Sequence, residues 1–335
     1  MGTALFLLVT GLTNGAIYAL LGLGLVLIYN VTRVINIAQG EFVMLGALTA
    51  VGLTTGEATG GITLAILAGA SWGLLVLLLR RRWALLWLPP AGALALWWLV
   101  RAVEPFHLPP IVAVLVATIA VAFVGAALYR LTIQPAAAAG EVVFLIITTG
   151  LYLGLQGLGL VFWGPGSFSF PSIHAGKIAA AGVRVSYQSL FVLAATLLVL
   201  ALLWLFFERT LFGKALRAAA MNRLGARLVG ISPERAGLVA FAISAGISAL
   251  AGVLIAPVTY ATYDMGLGLG LKGFVGAVIG GLSGYPGAVL GGLAIGVLEA
   301  FAAYTTSAYG EAIVYALIIP ILLLRVLTGR RGAAT

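Results

Sequence analysis

Two carboxylates, Glu41 and Glu299, stand inside apolar runs long enough to be buried in lipid. Charge in hydrocarbon is costly, so an acid kept there is paired, lines a wet route or meets a ligand. Uncharged polar groups keep them company. Asn14 and Tyr18, four residues apart, share one helix face, and Asn36 and Gln39 lead into Glu41 within Asn36-Ile37-Ala38-Gln39-Gly40-Glu41. Thr148, Thr149 and Gln156 polarise a later apolar segment. Each of these taken singly also fits a helix-to-helix hydrogen bond. Polar groups on several separate segments are the pattern of a lined substrate pathway.

Other chemistries lack their parts. The only histidines, His107 and His174, lie in predicted outside loops with no acidic pair beside them, which speaks against a metal or catalytic role. Gly268–Gly273 spells GxGxxG inside an apolar, Gly-rich run, with no preceding strand and no acid about 20 residues on, so it is not a dinucleotide fingerprint. No GxxxxGK[ST] occurs, so the chain does not itself hold ATP through a P-loop. With zero Cys, disulfides and thiolate metal sites are out of reach. No nucleophile and base pair up at a plausible depth. The chain reads as a transporter component without a metal or cofactor, not as an enzyme.

The elements that position these groups follow from composition. Of 335 residues, 62% are hydrophobic and 8% charged, and the mean hydropathy is +1.17. Soluble domains are nearer one quarter charged. The chain is therefore expected to be an all-α, polytopic integral membrane protein forming one transmembrane domain over 1–335. The start lacks a basic region before its apolar run, so the first segment is kept as a span and not read as a signal peptide. A bilayer core needs roughly 20 apolar helical residues. Predicted spans are 4–29, 34–53, 61–79, 83–101, 110–130, 142–163, 188–207, 236–256 and 310–327, with a Gly-broken region at 271–304. That makes about ten to eleven crossings, the number depending on whether 271–283 spans or is a re-entrant half-helix. An eleven-pass layout puts the N-terminus outside and the C-terminus in the cytoplasm. Fourteen basic residues then fall inside, among them Arg33, Arg80, Arg81, Arg82 and Arg130, and four (Arg101, Lys177, Arg184 and Lys272) fall outside. This matches the positive-inside rule. The loop 164–188 is the one sizeable outside loop, a connector or a platform for an extracytoplasmic partner.

One polar stretch interrupts the apolar chain. Residues 208–235 hold 8 of the 27 charged residues, six of them Lys or Arg. Phe212–Val229 is predicted helical, Gly230 sits at a C′ position, and Ser232-Pro233 fits N-cap and N1 of the next span. Ala218, Ala219, Asn222, Gly225 and Ala226 share a small-residue face, which suits insertion into a protein groove. Arg217, Arg223 and Arg227 are placed to meet carboxylates at its rim.

The chain resembles the permease subunits of branched-chain amino acid ABC importers, over nearly its whole length. The resemblance is carried by Gly15-Ala16-Ile17-Tyr18-Ala19-Leu20 with Val34–Glu41, by Arg217-Ala218 through Leu228-Val229-Gly230-Ile231 to Arg235, and by Gly270-Leu271-Lys272-Gly273-Phe274 with Gly280-Gly281-Leu282 and Pro286-Gly287-Ala288. It implies cytoplasmic ABC ATPase subunits, a second permease subunit and an extracytoplasmic solute-binding protein as partners. It also implies that Arg217, Ala218, Asn222, Arg223, Gly225, Ala226, Arg227 and Gly230 belong to the ATPase-coupling segment. Gln39 stands where many relatives have His, Asn222 where an acid is common, and Trp72–Arg101 looks like an inserted hydrophobic hairpin. Two alternatives stay open: a urea or short-amide permease of the same family, and an ion-coupled carrier working alone, for which Glu299 near the Gly-rich 280–296 is the best evidence.

Overall fold

The computed structural model describes residues 2–55, 69, 109–136, 140–172, 176–180, 183–282, 284–305, 310–316, 320 and 323. The predicted spans 61–79 and 83–101, the hairpin 72–101, both histidines and most of the final span lie outside these residues. The described helices are α1 (Gly2–Thr32), α2 (Glu41–Thr55), α3 (Pro110–Leu128), α4 (Glu141–Trp163), α5 (Tyr187–Arg209), α6 (Leu211–Met221), α7 (Arg223–Leu228), α8 (Pro233–Thr259), α9 (Met265–Gly280), α10 (Tyr285–Thr305) and α11 (Gly310–Ala316). Seven helical stretches among the described residues are long and apolar enough to cross a membrane. The protein is an all-α, multi-pass membrane protein.

Apolar side chains point in all directions from α1, α2 and α8, and those helices form the interior; α4 and α5 lie at the margin with most of their surface outward. Lipid is as apolar as leucine, so close backbone approach has to hold such helices together. Glycine supplies it. A Cβ on Gly296 would fall 2.2 Å from the backbone of Gly15, and one on Gly280 would fall 1.9 Å from that of Gly287. The first contact closes α1 on α10, and the second closes α9 on α10.

The direction of α8 orders the rest. It starts at Pro233 beside α7 and ends at Thr259, where Ala261 bridges Phe168 of the 164–188 loop. That loop carries the hairpin Lys177–Ala180 and Val183–Ser186. The α6–α7 pair and this loop therefore occupy opposite ends of the bundle.

The break after α1 is the main departure from a simple stack of spans. The predicted span 34–53 is not one helix. Arg33 takes φ 59 and its N–H closes on Tyr29 O at 2.8 Å, ending α1 in left-handed geometry. Residues 33–36 carry no regular hydrogen-bonded structure, and Ile37–Gly40 make one 3₁₀ turn before α2 begins. Non-helical backbone at membrane depth is tolerated only inside protein or along a wet cavity. Ala38, Gln39 and Gly40 are buried among helices.

Candidate functional site

The break places its polar residues in the bundle centre. The Gln39 amide nitrogen donates to Ser248 Oγ at 2.6 Å and Ser244 Oγ at 2.8 Å, both on α8. The Ser244 hydroxyl in turn donates to Gly24 O of α1 at 2.7 Å. Asn36 Nδ2 donates to Gln39 Oε1 at 3.4 Å, while Asn36 Oδ1 has no hydrogen-bond partner among the described residues. Gln39 thus ties the break to α8, and Ser244 in turn ties α8 to α1. Ser244 and Ser248 stand four residues apart, the small-residue spacing that lets helices approach closely.

Glu41 opens α2 fully buried, and among the described residues neither carboxylate oxygen has a hydrogen-bond partner. The positive end of the α2 dipole is its nearest compensation. Across it runs the first turn of α9, where Gly266 leaves the space the carboxylate fills; a Cβ there would lie 2.4 Å from Glu41 Oε1. A buried acid whose oxygens are both unmatched is a group held ready for a cationic or hydrogen-bonding partner.

Glu299 is not alone. Its Oε2 accepts from the Tyr18 hydroxyl at 2.6 Å and its Oε1 from Lys272 Nζ at 2.7 Å. Lys272 Nζ also stands 5.8 Å from the centre of the Tyr18 ring. The sequence placed Lys272 among the outside residues. The structure corrects this: Lys272 lies inside α9, 7% exposed, because α9 begins at Met265, ahead of the predicted start at 271, and ends at Gly280.

The remaining pathway candidates stay apart from these clusters. Asn14 is half-buried one turn before Tyr18. Thr148 and Thr149 donate to Leu145 O of their own helix, and Gln156 is half-buried on the same marginal helix α4. A threonine hydroxyl bonded one turn back is satisfied without a neighbour.

At the other candidate region the predicted single helix 212–229 is two helices. Asn222 ends α6 in extended geometry and caps α7, its side chain accepting from Gly225 N at 2.9 Å. Thr210 caps α6 and Ser232 caps α8 in the same way. Gly230 takes φ 83 and Ile231 N returns to Ala226 O at 2.9 Å, closing α7. The predicted faces are reversed. Ala219 and Ala226 are buried against Leu27, Val31 and Phe207 of the chain's own core, with Ala218 and Gly225 half-buried beside them. The outward face is large and apolar: Leu211, Phe212, Met221, Leu224, Leu228 and Val229 are 70% to 86% exposed. Nor are the arginines free. Arg217 pairs with Glu208 and donates to Phe207 O at 2.6 Å, and Arg227 pairs with Glu234 at 2.8 Å. Acids at the end of α5 and the start of α8 reach them first, so they tie α6 and α7 to the spans. Arg223 opens α7.

Comparison with known proteins fits this architecture. The family model described as branched-chain amino acid transport system, permease component, matches residues 7–85 and 90–322. The chain belongs to this permease family. It is similar to the high-affinity branched-chain amino acid transport permease BraD of Pseudomonas aeruginosa, 28% identical over 326 residues, covering 95% of this chain and 92% of that protein. It is similar also to LivH of Escherichia coli K12, 26% identical over 321 residues, covering 93% and 91%. An autoinducer 2 import permease, LsrC of Salmonella paratyphi B, is 38% identical over 87 residues, a quarter of each chain. No solved structure matches. In this permease, the groups that sequence reasoning missed are Lys272 and the exposed apolar face of α6–α7. The first had a signal: a lone lysine in an apolar, Gly-rich run needs an acid, and Glu299 was the nearest intramembrane one.

Proposed function

We propose that this permease is the membrane subunit of an ATP-driven importer for branched-chain or other small hydrophobic amino acids. Cytoplasmic ABC ATPases dock on α6 and α7, a second permease subunit completes the route, and an extracytoplasmic binding protein delivers substrate. The observation that carries this reading is the outward face of α6–α7. Six large apolar side chains stand exposed on two capped helices that are pinned to the bundle by Arg217 and Arg227. Apolar surface of this kind marks a docking site. The basic residues of 208–235 support a cytoplasmic position for that end.

The couplings suggest how a push there reaches the route. Arg227–Glu234 joins α7 to the first turn of α8, and α8 carries Ser244 and Ser248 to Gln39 at the break. Closure of the ATPases would move α6–α7 and α8 as one body and shift the non-helical 33–40 segment. Asn36, Gln39 and the unmatched Glu41 are the pathway groups nearest that segment; Asn14, Thr148, Thr149 and Gln156 lie further from it. The relatives named for branched-chain amino acids supply the substrate class.

The test is to replace Leu224 and Leu228 together by Glu and purify the complete importer through the permease. Loss of the ATPase from the purified complex, with membrane insertion unchanged, is the expected result. An undiminished ATPase share would refute docking on this face. The ion-coupled reading predicts gradient-driven uptake by this chain alone in liposomes, without ATP.

A further inference from the structure

The ion pair of Lys272 and Glu299 is poorly explained as a structural strut. The helices it joins are already closed by glycine contacts, at Gly276–Gly292 and Gly280–Gly287, and α1 meets α10 at Gly15–Gly296. A pair of buried charges adds little to such a seam, because desolvation cancels most of the attraction. The side chains also keep a narrow accessible strip, 9% for Lys272 and 14% for Glu299.

The geometry points to a zwitterion-exchange site: Lys272 and Glu299 receive the carboxylate and the ammonium of a passing α-amino acid, and are closed on each other when none is present. This rests on the amino-acid importer reading and names the contacts that reading leaves open. Three features support it. The Tyr18 hydroxyl holds Glu299 Oε2, so the carboxylate keeps its orientation when Lys272 leaves Oε1. The Tyr18 ring faces Lys272 Nζ at 5.8 Å and offers the ammonium a second seat. Tyr18 belongs to an apolar core cluster that also holds Ile295 and Val314, with the partly buried Leu269 and Leu293 packed against it, so a branched alkyl side chain would find apolar partners in this part of the bundle. Inserting a zwitterion replaces one charge pair by two and adds no net charge to the membrane interior. An amine or a carboxylic acid alone would leave one charge unmatched, so the same pair would discriminate against both.

The experiment uses the complete importer in proteoliposomes with its ATPases and binding protein, with L-leucine as probe. In the apolar variant Lys272→Met with Glu299→Leu, two charge-assisted contacts to substrate are gone. Leucine uptake is expected to fall about tenfold or more, with melting temperature and ATPase association as in wild type. Uptake at the wild-type rate would overturn the inference and leave the importer reading intact. If that variant does not accumulate, Tyr18→Phe decides, since it frees Glu299 Oε2 without removing a charge. A raised KM for leucine at an unchanged melting temperature is expected, and an unchanged KM overturns the inference. A wild-type importer that takes up no leucine refutes the substrate reading and this inference with it.

Discussion

Gly266 and Gly268 occupy the same turn of α9 and have opposite surroundings. A Cβ at Gly266 would meet the buried Glu41 carboxylate at 2.4 Å, whereas Gly268 has open space around it. Gly266→Ala must push a fully buried acid whose oxygens have no other partner, or push α9 off the 3₁₀ turn at Gly40. Gly268→Ala gains helix propensity, up to about 1 kcal/mol, and meets nothing. The first variant is expected to melt at lower temperature in detergent and accumulate poorly, and the second to match or exceed wild type. Equal melting of both would mean that the Glu41 pocket is not tightly held. Glycines read alike in a sequence; only the neighbour across the helix seam separates them.

At the scale of elements, α6 and α7 are a helix pair whose joint is one residue. Asn222 ends one helix and caps the next through Gly225 N. A six-residue helix is too short to persist by propensity alone, so α7 depends on its cap, on Gly230 and on burial of Ala226. Asn222→Ala is expected to cost about 1 kcal/mol locally, seen as faster amide exchange over 223–228 with α6 unchanged. Asn222→Asp, which keeps the cap oxygen, is expected to restore protection. Exchange unaffected by Asn222→Ala would show that packing, and not the cap, holds α7.

For the whole molecule, α8 links the two ends. It leaves α7 at Pro233 and finishes beside the 164–188 loop, where Phe168 pairs with Ala261. The natural chain has no cysteine, so single-cysteine labelling reports sidedness without background. Met221→Cys, on the exposed tip of α6, is expected to react with a membrane-impermeant maleimide only from the cytoplasmic side. Ser167→Cys, exposed at the opposite end, is expected to react only from outside. Labelling of both from one side would contradict the layout of the bundle, and exchanged sides would reverse the orientation drawn from basic residues.

How much was legible in the sequence follows from range. Apolar runs of about 20 residues, the Ser232-Pro233 start of one span and the basic bias of one loop are local signals, and local physics determined most of the spans and the all-α class; the Thr210 cap came only from the structure. What each buried polar group touches is not local. Glu299 meets Lys272 of α9 and Tyr18 of α1, and Gln39 meets two serines more than 200 residues away, so their pairing waited for the tertiary structure. The same holds for α6–α7. A helical wheel shows that one face is small and another large, but which face turns inward depends on the neighbouring core. Leu27, Val31 and Phe207 accept Ala219, Ala226 and Leu216 there, and their close approach leaves Leu224 and Leu228 outside.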